Sequence, residues 1–179
     1  MDFQAGIVDS FASDRDGLLA RTAALIAAAR AATMRVIYVV VGFRAGYPEA
    51  SSRNQAFAQI VTTGRFAPGD ATAHVHPAVA PAADEVIVTK HRVSAFAGTD
   101  LDMILRANGI DTLVLAGIAT SGVVLSTVRH AADVDYRLVV VHDCCADRDP
   151  EVHRVLVEKL FPRQAKVMTA ADAIAALKQ

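Results

Sequence analysis

Thr112-Leu113-Val114-Leu115-Ala116-Gly117-Ile118-Ala119-Thr120-Ser121-Gly122-Val123 decides the fold. The first part is an unbroken apolar run of strand length, without polar alternation, closed by a glycine. A strand apolar on both faces belongs to a parallel sheet covered by helices. Small polar residues follow, and the spacing then predicts a helix over Ser121–Val134, so the stretch is a strand, a tight turn and a helix in succession. The same unit repeats outward in both directions. Arg35–Val41 is a β-branched run ended by Gly42, and Glu85–Val88, Arg137–Val141 and Lys166–Met168 read as further strands. Helices are predicted over Asp14–Ala32, with Ser13 or Asp14 as cap, over Leu101–Ala107, ended by Asn108-Gly109, over Pro150–Leu160, opened by Asp149, and over Ala170–Leu177. Residues 44–81, broken by Pro48, Gly64, Pro68, Gly69, Pro77 and Pro81, read as an excursion over the sheet's edge with a short helix near Arg53–Thr62. Alternating strands and helices predict an α/β fold: a three-layer α/β/α domain with a doubly wound, mostly parallel sheet. The expected extent is one domain over residues 1–179.

Composition narrows the function classes. The 179 residues are 53% hydrophobic and 21% charged, with a formal net charge of −1. Such a chain buries a core and is not disordered. It lacks the basic footprint of a nucleic-acid or anionic-membrane binder. No apolar run is long enough for a membrane span, and Met1-Asp2-Phe3-Gln4 lacks the pattern of a signal peptide. Cys144 and Cys145, the only cysteines, are adjacent and read as reduced thiols, which points to a cytoplasmic protein.

In an open parallel sheet, ligands sit beyond the carboxyl ends of the strands. The segments there are Gly42-Phe43-Arg44, Thr89-Lys90-His91-Arg92, Ile118–Gly122 and His142-Asp143-Cys144-Cys145. A helix opening at Thr120-Ser121-Gly122 presents unpaired N–H groups to an anion, with side chains small enough for close approach. Arg44 at a strand tip suits a substrate carboxylate. His74 and His76, with Asp70 nearby, have loose spacing and no third strong ligand, so they read as loop histidines and no metal is expected. No G-x-S-x-G elbow and no phosphate-binding glycine loop is present.

Three pieces in order resemble the isochorismatase-like hydrolase family, a superfamily that includes nicotinamidases and other amidohydrolases. They are Asp2-Phe3-Gln4, matching an Asp-x-Gln; Val88-Thr89-Lys90 followed by Ser94-Ala95-Phe96; and Gly117–Val123 running into Leu125-Ser126-Thr127. The resemblance implies that Asp2 and Lys90 are two members of an Asp-Lys-Cys triad. Val123 stands where the third, the cysteine, is expected, and a valine has no nucleophilic atom. Isochorismatases proper work without that cysteine. There an acid protonates the vinyl carbon of an enol ether and water attacks the oxocarbenium-like centre. The resemblance also implies a cis peptide at Ile118–Ala119, and dimers or larger homo-oligomers.

The expectation is therefore a hydrolase acting on a small, carboxylated substrate without a cysteine nucleophile or cofactor. Asp2 would be the acid/base, Lys90 its electrostatic partner or a holder of substrate oxygen, and the amides of residues 120–122 an oxyanion or carboxylate cradle. Gln4, Arg44, Phe96, Ala119, Thr120, Ser121 and Gly122 complete the substrate-binding set. Two rivals stay open: a non-catalytic member that binds ligand or serves in assembly, and an amidohydrolase with a displaced nucleophile at Cys144 or Cys145. Each residue also has a plainer reading. Asp2 would then be a terminal carboxylate, Lys90 a surface charge, Arg44 half of a surface ion pair, and Phe96 core.

In the resembling fold the aspartate ends a buried strand that lies between Arg35–Val41 and Thr112–Ala116. Only Met1 precedes Asp2 here. The fold's first strand is thus missing from the chain as given, and the expectation is a true start upstream by about ten residues. The rivals are another segment or a partner chain filling the gap, or a sheet that closes up with an altered site.

Overall fold

The computed structural model describes residues 1–178. Five parallel strands appear where the apolar runs lie: β1 (Ile37–Val41), β2 (Val86–Lys90), β3 (Thr112–Ile118), β4 (Arg137–Ala146) and β5 (Lys166–Met168). They form two groups, β2-β1 and β3-β4-β5, all with parallel pairing. The helices are α1 (Ala5–Phe11), α2 (Arg15–Ala31), α3 (Gln55–Thr63), α4 (Leu101–Ala107), α5 (Leu125–Asp133), α6 (Pro150–Val155) and α7 (Ala170–Ala176).

The layers follow from alternation along the strands. Leu113, Leu115, Leu138 and Val140 point to one face, where Leu101 and Leu105 of α4, Val128 and Ala131 of α5 and Leu156 just past α6 close the core. Val141, with Val139 partly buried beside it, points to the other face, against Leu25 of α2 and Ala170 and Ala173 of α7. The fold is a three-layer α/β/α sandwich. Caps act as the sequence predicts at two helices: Asp14 accepts from the Gly17 amide, and Asp149 from the Glu151 and Val152 amides.

Met1 and Asp2 run between the two strand groups at their carboxyl ends. The Met1 ammonium donates to Ala116 O at 2.9 Å, Ile118 N to Met1 O at 3.2 Å, and Asp2 N to Val39 O at 2.8 Å. This is the pattern of a parallel strand hydrogen-bonded on both sides. The two residues thus sit at a central position of the sheet, and among the described residues no strand lies between β1 and β3.

Three elements differ from expectation. β4 continues five residues past Val141 because, after a register shift between Leu115 and Gly117, Cys145 and Ala146 pair with Gly117 and Ile118. The helix expected from Ser121 opens with a widened turn, Thr120–Val124, in which Gly122 has non-helical angles. α1 was hidden by its length, a mere 7 residues with no side-chain cap. It lies beside residues 71–76: Ala5 N donates to His74 O and His76 N to Phe3 O.

Candidate active site

The site forms where Asp2, the tip of β2 and the turn after β3 meet. Parallel pairing sets Lys90 opposite Val41, level with the end of the Met1–Asp2 segment. The Asp2 backbone lies in the left-handed region, with φ of 57°. Lys90 Nζ is 2.9 Å from Asp2 Oδ2, and these side chains are only 4% and 7% exposed. Lys90 also donates to Arg92 O at 3.1 Å. Asp2 Oδ1 is buried with no hydrogen-bond partner. Burial pushes the Asp2 carboxyl above its ordinary value, and the Lys90 charge and hydrogen bond oppose that shift without cancelling it.

Gln4 performs a different task from the expected one. Its amide donates to Val41 O at 2.8 Å and Ala73 O at 2.7 Å, and its Oε1 accepts from Val41 N at 2.8 Å. Because the Asp2 backbone turns away at positive φ, the Gln4 side chain supplies the ladder bonds that main chain would otherwise give β1. Both of its donors are committed to main-chain carbonyls, so in this structure Gln4 straps β1 to the turn at Ala73.

The turn after β3 contains the cis peptide Ile118–Ala119. Two of its amides are already engaged: Ser121 N donates to Asp147 Oδ2 at 2.7 Å and Gly122 N to Ala119 O at 3.1 Å. An anion cradled at residues 120–122 would therefore have to displace Asp147. Thr120 is fully buried, and its Oγ1 lies 2.8 Å from His153 Nδ1. Neither Asp147 nor His153 was anticipated; the signal for them is their place just past β4 and one turn into α6. Val123 is 2% exposed and packs in the main core with Val39, Val88, Ala95 and Phe96. Gly122 faces Val93, whose Cγ1 lies 4.0 Å from where a Cβ on Gly122 would stand.

The remaining candidates have partners of their own. Arg44 is exposed and forms an ion pair with Glu49. Phe96 stacks on His130 with centroids 4.7 Å apart and planes 3° from parallel, and it also touches Tyr136. Its ring is buried in the main core. Asp70 accepts from the Phe66 and Thr72 amides, and His76 from the Ala78 amide, so these loop residues cap turns. Cys144 and Cys145 are buried, and burial pushes their thiols up to about 11 and about 12.

A parallel α/β sandwich with a buried carboxylate–ammonium pair at the strand ends, beside a cis peptide opening a helix, defines a class of small hydrolases. The isochorismatase domain model matches residues 1–172, and the chain belongs to the isochorismatase family. It is 33% identical to the uncharacterized isochorismatase family protein YecD of Escherichia coli, over 99% of this chain and 93% of that protein. It is 35% identical to a ureidoacrylate amidohydrolase, RutB, of Variovorax paradoxus, over 77% of this chain and 61% of that one. An isochorismatase family protein from Burkholderia thailandensis superposes with a TM-score of 0.86 at 34% identity, over 99% of this chain and 93% of that chain. No described helix is long and apolar enough to cross a membrane.

Proposed function

We propose that this family member hydrolyses a small, carboxylated substrate of the enol-ether type without a cysteine nucleophile. Asp2 is the acid, Lys90 its electrostatic partner, and the 119–122 turn one wall of the site. The observation that carries the reading is the Asp2 carboxyl: buried, with one oxygen on Lys90, the other unpartnered, and its proton affinity raised. A carboxyl held above its ordinary value by burial keeps its proton more readily, which suits general-acid protonation of a carbon. Val123 supplies no thiolate, and the buried, protonated thiols at 144 and 145 do not replace it. A substrate oxygen would take the place of the Arg92 carbonyl, which accepts from the Lys90 ammonium in this structure.

The enclosure of the pair favours a second reading, a non-catalytic member in which Asp2 and Lys90 are a structural ion pair. A panel of small enol ethers, amides and esters bearing a carboxylate separates the two. Under the first reading the parent turns over an enol ether, iodoacetamide leaves the rate unchanged, and Asp2→Asn lowers it by about 100-fold or more while the fold persists. Absence of turnover across the panel rejects that reading for those substrates. Turnover of an amide that alkylation abolishes would move the chemistry to a thiol.

A further inference from the structure

Three loops lie at the carboxyl end of the sheet: residues 42–50 after β1, 91–93 after β2 and 119–122 after β3. Arg92 is joined to all three. Its carbonyl accepts from Lys90 Nζ at 3.1 Å. Its guanidinium reaches the loop after β1, where Nη1 donates to Glu49 O at 3.0 Å, and Nη1 also donates to His91 O at 2.6 Å. The next residue, Val93, lies against the turn after β3, with Cγ1 4.0 Å from where a Cβ on Gly122 would stand. His91 ties the same loop to the end of β1, its Nδ1 lying 2.6 Å from Gly42 O. Arg92 is therefore an exposed side chain that the fold already holds in one place, so ordering it on a ligand costs little.

Both hydrogens of Nη1 are committed. Among the described residues Nε and Nη2 donate to nothing, and no carboxylate pairs with Arg92, whereas Lys90 is paired by Asp2 and Arg44 by Glu49. Nε and Nη2 form one edge of the planar fork, which takes a carboxylate through two parallel hydrogen bonds. The Phe57 ring flanks the guanidinium, with its centroid 5.9 Å from Cζ. We propose that Arg92 takes the substrate's carboxylate on the Nε–Nη2 edge and so selects anionic over neutral substrates. The assignment rests on the reading of the site given above, that of a small carboxylated substrate. The two ends of one residue then bracket the ligand. A substrate oxygen replaces the Arg92 carbonyl on Lys90, and the carboxylate meets the guanidinium. These points are a single side chain apart, which suits one small molecule. Val93, apolar and 37% exposed, stands between this loop and the 119–122 turn and supplies a wall.

The test reads binding, so that it answers whether or not the protein turns a substrate over. Parent and variants are titrated with α-methoxypropionate, a saturated ether with no vinyl carbon to protonate, and with its neutral counterpart α-methoxypropionamide. Kd is read from shifts in the amide NMR spectrum at about pH 7.5, where the acid is ionised. The parent should bind the carboxylate about 10-fold or more tightly than the amide. Arg92→Gln should remove that preference by weakening the carboxylate alone. Arg92→Lys, which keeps the charge and loses the fork, should restore part of it. Equal weakening of both ligands in Arg92→Gln would show that Arg92 only holds the loops together, and overturns the proposal. A parent that binds the acid no more tightly than the amide overturns it as well. So does a preference that survives Arg92→Gln, which would place the carboxylate on Arg44 or Lys90. A preference that depends on Arg92 in a protein that hydrolyses no enol ether upholds the assignment and rejects only the proposed chemistry.

Discussion

Lys90 Nζ and Asp2 Oδ2 lie 2.9 Å apart in a site nearly closed to water, and the second Asp2 oxygen has no partner. Lys90→Met removes the cation and leaves the carboxylate buried alone, which costs about 3–5 kcal/mol near pH 8. The sign with pH is fixed. Burial raises the Asp2 carboxyl in the folded chain above its unfolded value. The folded state therefore takes up the proton first, and stability falls as pH rises from the unfolded toward the folded value. Without Lys90 the folded value rises further, so the deficit against the parent should shrink as pH falls from about 8 toward about 4, the ordinary carboxyl value. Urea midpoints of parent and variant at the two pH values check this; a deficit independent of pH would show that Asp2 is not the group left charged.

Gln4→Ala strands two buried main-chain groups, Val41 N and Val41 O, and the half-buried Ala73 O. Each buried group left without a partner costs about 1–3 kcal/mol, so the expected loss is about 4 kcal/mol, or some 10 °C in Tm for a domain of this size. Gln4→Glu keeps the acceptor for Val41 N but points an oxygen at two carbonyls, and should be no better. Calorimetry decides between this role and substrate binding, since a ligand-binding glutamine could be truncated with little change in Tm.

Gly117 is required by its closeness to Met1. A Cβ there would lie 2.9 Å from Met1 O and 3.1 Å from Met1 Cβ, both across the junction that holds Asp2 in place. The Met1 carbonyl is main chain bonded to Ile118 N and cannot swing aside. Gly117→Ala should therefore cost about 2 kcal/mol and displace Asp2. The expected readout under the proposed chemistry is a kcat loss larger than the Tm change alone explains. An unchanged Tm would show that the junction yields.

The strands and most helices were legible because their signals are local: apolar runs with glycine stops, and Asp14 and Asp149 placed to cap. The pairing of Asp2 with Lys90 was reached through an ordered motif, not from spacing, since 88 residues separate them and only the sheet register brings them together. The strapping bonds of Gln4 were not legible, because a carboxamide looks the same in sequence whether it binds ligand or main chain. The extension of β4 to Ala146 depends on a register shift in its neighbour, which no local pattern reports. Asp147 and His153 were passed over for the same reason: each acts on a turn 26 or 33 residues earlier in the chain.

His153 gives acid sensitivity of the opposite sign from Asp2. Burial, assisted by the nearby His142, lowers its pKa from the ordinary value, and Nδ1 shares a hydrogen with Thr120 Oγ1. The unfolded chain therefore takes up the proton first. The stability held above about pH 6.5 is lost as pH falls through the folded value. His153→Gln retains a hydrogen-bonding group for Thr120 and removes the titration. The difference in Tm between parent and variant should move in the parent's disfavour between about pH 7 and pH 5. Parallel Tm–pH curves for the two proteins would rule out His153 as the source.

Cys144 and Cys145 supply the last check on the chemistry. Both thiols are buried, and burial holds them at about 11 and about 12, so near neutral pH neither is a thiolate. Iodoacetamide at about pH 8 should leave the native protein unlabelled over a time in which the urea-unfolded chain takes up two labels. Mass spectrometry counts the labels. A single label on the native chain that abolished turnover would identify a reactive sulfur beside β3 and revive a thiol nucleophile. Full turnover by a Cys144→Ala, Cys145→Ala double variant would leave Asp2 as the group on which the reaction turns.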